Sequence, residues 1–425
     1  MKYTFLIIVL LMLVSCSQEA PEQITDIRDY DVYLSSAESK KTSKYFEQWN
    51  SMIKPDSMQL MSFGIVAGEY SRYFQETGDI TQLKMAERAL KKAVEIAAIG
   101  KSGYYRALAR NYISQHRFKE ALELAKLSRN MGSGVGESQK LLFDVHMELG
   151  NYVDAQKYLD SIKNMSDFDY LIRLAKWNDH IGDLETAIHF MEKAKVKAES
   201  AKNSSLMLWS YTNLADYYGH AGRIQDSYDH YLKSLRMDPQ NAYAKKGIAW
   251  IVFSYEKNPK EALRILDSIT KTYMSPDYFL LKAEIAEYMG DSSQLTHNLD
   301  SYAIAVENPS YGAMYNVYNA DMYLELTEQY NKALKVAEIE VDNRPTPESY
   351  NLLAYSYFKL GEKDRALEIV RKHIEGKTYE PTILYRTAEI YKATGNYSKL
   401  SELKQELLGA IYELGPSMES KILNL

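Results

Sequence analysis

A small residue recurs along this chain at intervals of 32 to 40 residues: Ala121, Ala155, Ala187, Ser227, Ala262, Ala333 and Ala366, with Leu295 and Leu400 falling on the same beat. Around it the apolar residues follow i, i+3, i+4 spacing, interrupted by Gly, Asn-Pro or Asp-Pro and never by an alternating strand run. A period of this length marks an array of stacked units, because one unit cannot bury its apolar face alone. The physics of the marker is steric: where two helices cross at closest approach a large side chain would hold them apart, so Ala or Ser is selected. Leu295 and Leu400 break that rule and predict wider hairpins. The two longest intervals are expected to be absorbed by insertions at 199–205 and 308–312, and Ala89 is the marker of a further unit upstream.

Two units are well enough formed to compare with a known pattern. One runs Tyr211-x2-Leu214-Ala215-x2-Tyr218, then Gly222, Ser227-x3-Tyr231 and Pro239; the other runs Tyr350-x2-Leu353-Ala354-x2-Tyr357, then Gly361 and Ala366-x3-Val370. Both resemble the tetratricopeptide repeat (TPR), with Tyr in place of Trp at the first aromatic. The unit around Phe143 departs from it, carrying His146 where Tyr is usual. The resemblance implies an all-α fold: an α-solenoid of nine to ten TPR-like helix-turn-helix repeats over residues 57–425, wound as a right-handed superhelix, with the first helix of each repeat lining a concave face.

The chain opens differently. Lys2 precedes ten unbroken apolar residues, 5–14, which as a helix would span about 15 Å, half of a bilayer core. That describes a secretory signal rather than a membrane span. Leu13-Val14-Ser15-Cys16 resembles the lipobox of bacterial lipoproteins, and Cys16 is the only cysteine among 425 residues. The resemblance implies a signal peptide over 1–15, lipidation of Cys16 by acyl chains, and anchorage to a membrane through them. Ser17 after the cysteine favours, by analogy, the outer membrane, with the protein facing the periplasm or the surface. Residues 16–56 form a lipidated tether and an N-terminal helical segment. Residues 17–33 are polar, with Pro21 and the acids Asp26, Asp29 and Asp31, and read as the tether; 36–54 predicts a helix with Phe46, Trp49 and Ile53 on one side, stopped by Pro55.

No catalytic constellation stands out. A single cysteine excludes an intramolecular disulfide and a cysteine zinc cluster, and the eight histidines form no HExxH pair. His180 and His220 occupy equivalent places in consecutive units and read as polar residues at helix ends. Gly132-Ser133-Gly134-Val135-Gly136 lacks the Lys-Ser/Thr ending of a phosphate loop and reads as a turn between repeats. We therefore expect a non-enzyme without cofactor or metal. A formal charge of −6, or −7 once Lys2 is removed, argues against nucleic acid as a partner.

The remaining signal is the groove. Taking the residue after the small core position of each first helix, with those four before and three after, gives a basic stripe at Arg106, Arg110, Lys140, Arg173 and Lys176. An acidic middle follows at Asp277, Glu284 and Glu287, then an aromatic end at Tyr315, Tyr318, Tyr355, Phe358, Tyr385 and Glu389. Tyrosine offers apolar area and a polar tip at low entropic cost, which suits recognition of a segment. The asparagines of a TPR carboxylate clamp are absent at the matching places, and Trp177, Trp209 and Trp250 read as packing residues. The expectation is a membrane-anchored interaction scaffold of the cell envelope, binding a peptide segment or an envelope protein. The alternative is a carbohydrate-capture surface lipoprotein in which the tyrosines stack on sugar rings.

Overall fold

The backbone enters the left-handed region at Gly78, His116, Gly150, Gly182, Gly222, Lys257, Gly290, Glu328, Gly361 and Gly395. Each of these residues is the bend between two antiparallel helices. The computed structural model describes residues 23–35, 44–54 and 58–425; Cys16 and the expected signal peptide lie outside the described residues. Seven bends are glycine, which takes this conformation without a Cβ penalty. Five residues past each bend comes one position of the repeat marker. There Ala121, Ala155, Ala187, Ser227, Ala262, Ala333 and Ala366 are fully buried, and the marker N–H donates to the carbonyl of the residue capping its helix, as from Ala121 to Arg117 and from Ala366 to Glu362, both at 3.0 Å.

Ten hairpins result, so among the described residues the chain is an all-α solenoid of TPR-like units. The first pairs Leu60–Thr77 with Ile80–Ile96. Its residue in register is Leu83, not Ala89, which stands six positions further along the same helix. Of the other large residues in register, Leu295 is only partly buried at its crossing, whereas Leu400 is buried. The expected insertion at 199–205 is not a loop: helices Leu184–Ser200 and Ser204–His220 are 17 residues each and take up the extra length themselves. At 308–312 the insertion is real and forms the short 3-10 turn Pro309–Tyr311.

Two first helices are irregular. In the sixth hairpin Ala242–Trp250 continues as a π-helical segment Ile251–Tyr255, and in the eighth Asn316–Asp321 continues as Met322–Leu326. In an ordinary bend the residue after the left-handed one donates five residues back, as Arg223 does to Tyr218; Asn258 and Gln329 donate six back, to Val252 and Tyr323. One extra residue is accommodated in each helix, and single π-turns of this kind are frequent at functional sites.

The hairpins do not rest on their neighbours alone. Met274 N–H donates to the Thr77 carbonyl at 2.8 Å, the Asn343 amide donates to the His116 carbonyl at 3.2 Å, and Arg344 pairs with Glu148 at 3.4 Å. Gly150 lies against Pro345, Gly182 against the Tyr379 ring and Gly219 against the Tyr412 ring. The bends of the first five hairpins thus meet the connections that follow later ones, so one coil of the solenoid touches the next.

Both described ends are fastened to the same place. The described part of the expected tether, from residue 23 on, runs into helix Ile27–Leu34, packed on the fifth and sixth hairpins. The Glu256 carboxylate accepts from the backbone N–H of Ile24 at 2.8 Å and of Thr25 at 2.6 Å, and buried Tyr30 donates to Glu261 at 2.8 Å. After the tenth hairpin, Ile411–Leu414 and Met418–Leu423 cross back, and the Tyr412 carbonyl accepts from Trp250 Nε1 at 3.0 Å and Ser254 Oγ at 2.7 Å. No described helix is long and apolar enough to cross a membrane.

Candidate functional site

The crossing C-terminal helices close one side of a cavity of about 750 Å³. Asp216 and Tyr231 of the fifth hairpin and the first helices of the sixth to tenth supply the other walls: Tyr243 and Trp250, then Glu284 and Glu287, Tyr318, Tyr355, and last Tyr385 and Glu389. Asp277–Tyr288 runs through the seventh hairpin, and Asp277, Glu284 and Glu287 face the space because seven residues are two helical turns and three are nearly one. The second π-helical segment borders it through Met322, Glu325 and Leu326, and Trp250, the residue just before the first, lines it as well.

Polar order inside the cavity is local. Asp216 accepts from the Tyr231 hydroxyl at 2.5 Å and the Tyr243 hydroxyl at 2.6 Å. Burial raises its carboxyl above the usual range against the pull of those two donors. Arg386 is buried between Asp321 at 2.8 Å and Glu325 at 3.0 Å, so its charge is spent. Lys246 approaches Asp277 at 3.8 Å and lies 5.2 Å from the Tyr243 ring centroid. Seven carboxylates line the space against four lysines and arginines, leaving it acidic as well as aromatic. Glu284 has no hydrogen bond or ion pair among the described residues; burial, with Glu287 beside it, pushes its carboxyl up to about 7.

The aromatic stripe is only partly a wall. Tyr318 is exposed, and Tyr385 and Glu389 are half-buried, all three at the cavity. Tyr355 forms its floor: it is 1% exposed, donates to Glu389, and carries Arg386 5.1 Å above its ring. Tyr315 is not at this cavity. It is packed with Tyr302, Tyr311, Ile80 and Leu83 where the first hairpin meets the later coil, and a groove position read from one repeat takes no account of that coil.

The basic stripe does not form an open basic surface. Lys140 Nζ binds Glu137, Asp167 and Asp169 at 2.8–3.0 Å, Arg173 pairs with Asp144 at 2.6 Å, and Lys176 pairs with Glu148 at 2.8 Å. Arg106 donates to Ser128 at 3.1 Å, with burial lowering its pKa, and Arg110 alone of the five is exposed. Asp167 and Asp169 with Lys140, Asp144 with Arg173 and Glu148 with Lys176 pair across the third and fourth hairpins, so these three cations hold the two repeats together, whereas Glu137 shares the helix of Lys140 and Ser128 lies on the second helix of Arg106's own hairpin. His180 and His220 both line a second cavity of about 500 Å³ between coils, where His220 lies 3.7 Å from Glu413. Among the described residues no group of three His, Cys, Asp or Glu could hold a metal ion. Reading single repeats missed Asp216, Tyr243 and the C-terminal residues Leu414, Met418 and Lys421; the tail carries no repeat pattern, and only chain return brings it here.

Architecture and groove together define a solenoid of tetratricopeptide-like repeats. The tetratricopeptide repeat family matches residues 210–241, the fifth hairpin, and the family of subunit 3 of the anaphase-promoting complex, cyclosome, matches residues 327–399, reaching from the eighth hairpin into the tenth. No curated protein sequence matches the chain. Among solved structures, a Rap protein complexed with competence and sporulation factor is similar over 62% of this chain and 78% of its own, with 11% identity and a TM-score of 0.46. A tetratricopeptide repeat protein from Parabacteroides merdae is similar over 58% and 93%, with 14% identity and a TM-score of 0.39. Yeast Tom70 is similar over 86% and 93%, with 12% identity and a TM-score of 0.37.

Proposed function

We infer that this protein is a lipid-anchored interaction scaffold of the bacterial cell envelope, held to a membrane, the outer one by the Ser17 analogy, through Cys16. It binds a segment of another envelope protein in the cavity between its sixth and tenth hairpins. The observation that carries the reading is the convergence of Tyr318, Tyr385 and Glu389 with Tyr243 and Trp250 on one open space built from successive first helices. Such spaces take ligands when apolar and aromatic walls carry a few placed polar groups. Repeat solenoids present surfaces of this kind, and a TPR fold supports protein or peptide binding.

Two experiments test the reading. Crosslinked cells carrying C-terminally tagged protein should yield one stoichiometric envelope protein, lost in Tyr318→Ala/Tyr385→Ala; retention of the same partner in that variant puts binding on another face. Tyr355 is left intact because its burial makes truncation a folding defect. Cys16→Ala should move the protein from the membrane fraction to the soluble one, and pelleting unchanged would rule out the anchor.

A further inference from the structure

Part of the cavity's acidic side carries no ion pair among the described residues. On helix Asp277–Tyr288, Asp277 is occupied by Ser275 and Lys246. Glu284 and Glu287, one turn apart on the same face, have neither hydrogen bond nor ion pair among the described residues. Burial, with the Glu287 charge beside it, disfavours the ionised form of Glu284, and a cation delivered next to the two carboxylates relieves that cost.

The walls already handle cations. Lys246 lies 5.2 Å from the centroid of Tyr243 and 5.3 Å from that of Tyr278, and Lys359 lies 4.8 Å from that of Tyr355. Those distances are within reach of a cation–π attraction. The chain's own C-terminal segment also shows what kind of sequence this space accommodates. Leu414, Met418 and Lys421 line its rim, two apolar residues followed by a lysine, and the Lys421 charge acts on Glu284 without an ion pair forming.

We propose that the cavity selects a partner segment of the same chemistry, apolar residues carrying a lysine or arginine, and seats that cation against Glu284 and Glu287 with Tyr318 and Tyr385 covering the apolar part. This rests on the groove reading above and adds the sign of charge that the groove prefers. An acidic segment would meet the like charge of both glutamates, and a neutral glycan would leave them unpaired.

The test uses the full-length protein in detergent and three fluorescent decapeptides that share one Leu/Met/Ala frame and carry three lysines, three glutamines or three glutamates. Fluorescence anisotropy should show the lysine peptide binding at least tenfold tighter than the glutamine peptide, with affinity falling as salt is raised. Glu284→Gln/Glu287→Gln, which keeps shape and removes charge, should abolish that preference while circular dichroism stays unchanged. Equal binding of all three peptides, weakened by Tyr318→Ala/Tyr385→Ala, overturns the charge preference and leaves the groove reading standing. Lysine-peptide binding unaffected by the tyrosine variant overturns the groove reading itself. Binding of maltoheptaose with none of the peptides bound overturns both in favour of a glycan.

Discussion

The Tyr231 ring occupies the space that a side chain on residue 247 would need: a Cβ built on Gly247 would overlap the ring. The contact lets a buried tyrosine lie flat on the sixth hairpin and present its hydroxyl to Asp216 at 2.5 Å. It fixes one wall of the cavity.

Gly247→Ala should therefore displace Tyr231 and cost about 1–3 kcal/mol through overpacking. Chemical denaturation measures the cost. Binding of the lysine decapeptide by the same variant should also fall, because Asp216 loses one of its two hydroxyl donors; a variant as stable as the parent would mean that the ring has room to move.

Glu284 links the cavity to pH. Its carboxyl titrates at about 7 in the folded chain, against about 4.3 when unfolded. Its stabilising contribution is thus complete below the unfolded value and disappears as pH rises through 7. Glu287 on the same helix and Lys421 on the C-terminal helix act on it directly, and Lys246, Asp321, Glu325, Lys359, Arg386 and Glu389 share the space. Glu284→Gln should be more stable than the parent at pH 8, by on the order of 1–3 kcal/mol, with the gap closing towards pH 4. Peptide affinity runs the other way: the lysine decapeptide should bind the parent more tightly at pH 8 than at pH 6. Equal stability of parent and variant across that range would show that the carboxyl titrates normally.

Truncation after Asp342 tests how far the hairpins depend on the coil above them. Nearest-neighbour packing should keep the remaining hairpins helical. Loss of the Asn343, Arg344, Tyr379 and Tyr412 contacts should nevertheless lower the thermal midpoint by several degrees. Loss of most helical circular dichroism, scaled to the shortened length, would mean that the solenoid folds only as a closed coil.

How much of this was readable beforehand follows the range of each interaction. Bends and markers are local: Gly222 and Ser227, or Gly361 and Ala366, act within one hairpin, so periodicity reveals them. Asp277, Glu284, Glu287, Tyr318 and Tyr385 were traceable to one surface because each occupies a regular place on a first helix. Tyr315 was not, since Ile80 and Leu83 cover it from more than two hundred residues away. Counting Lys140 and Arg173 as free cations failed for a related reason: their carboxylates come partly from the adjacent repeat, and a tally of charge does not pair them. The π-helical segments leave no distinctive mark in the pattern: their bends, Lys257 and Glu328, are not glycine, but neither is His116, which follows a regular helix.

The docking of residues 23–35 on Glu256, Tyr228, Glu261 and Arg264 has a mechanical consequence. Tension applied from the N-terminal side enters at the sixth hairpin, midway along the array, and that hairpin also holds the returning tail through Trp250 and Ser254. The first four hairpins lie off the direct load path, like turns of a spring clamped at its middle. Pulled from that side, the molecule should resist as a closed loop until the clamp opens, and only then begin to uncoil.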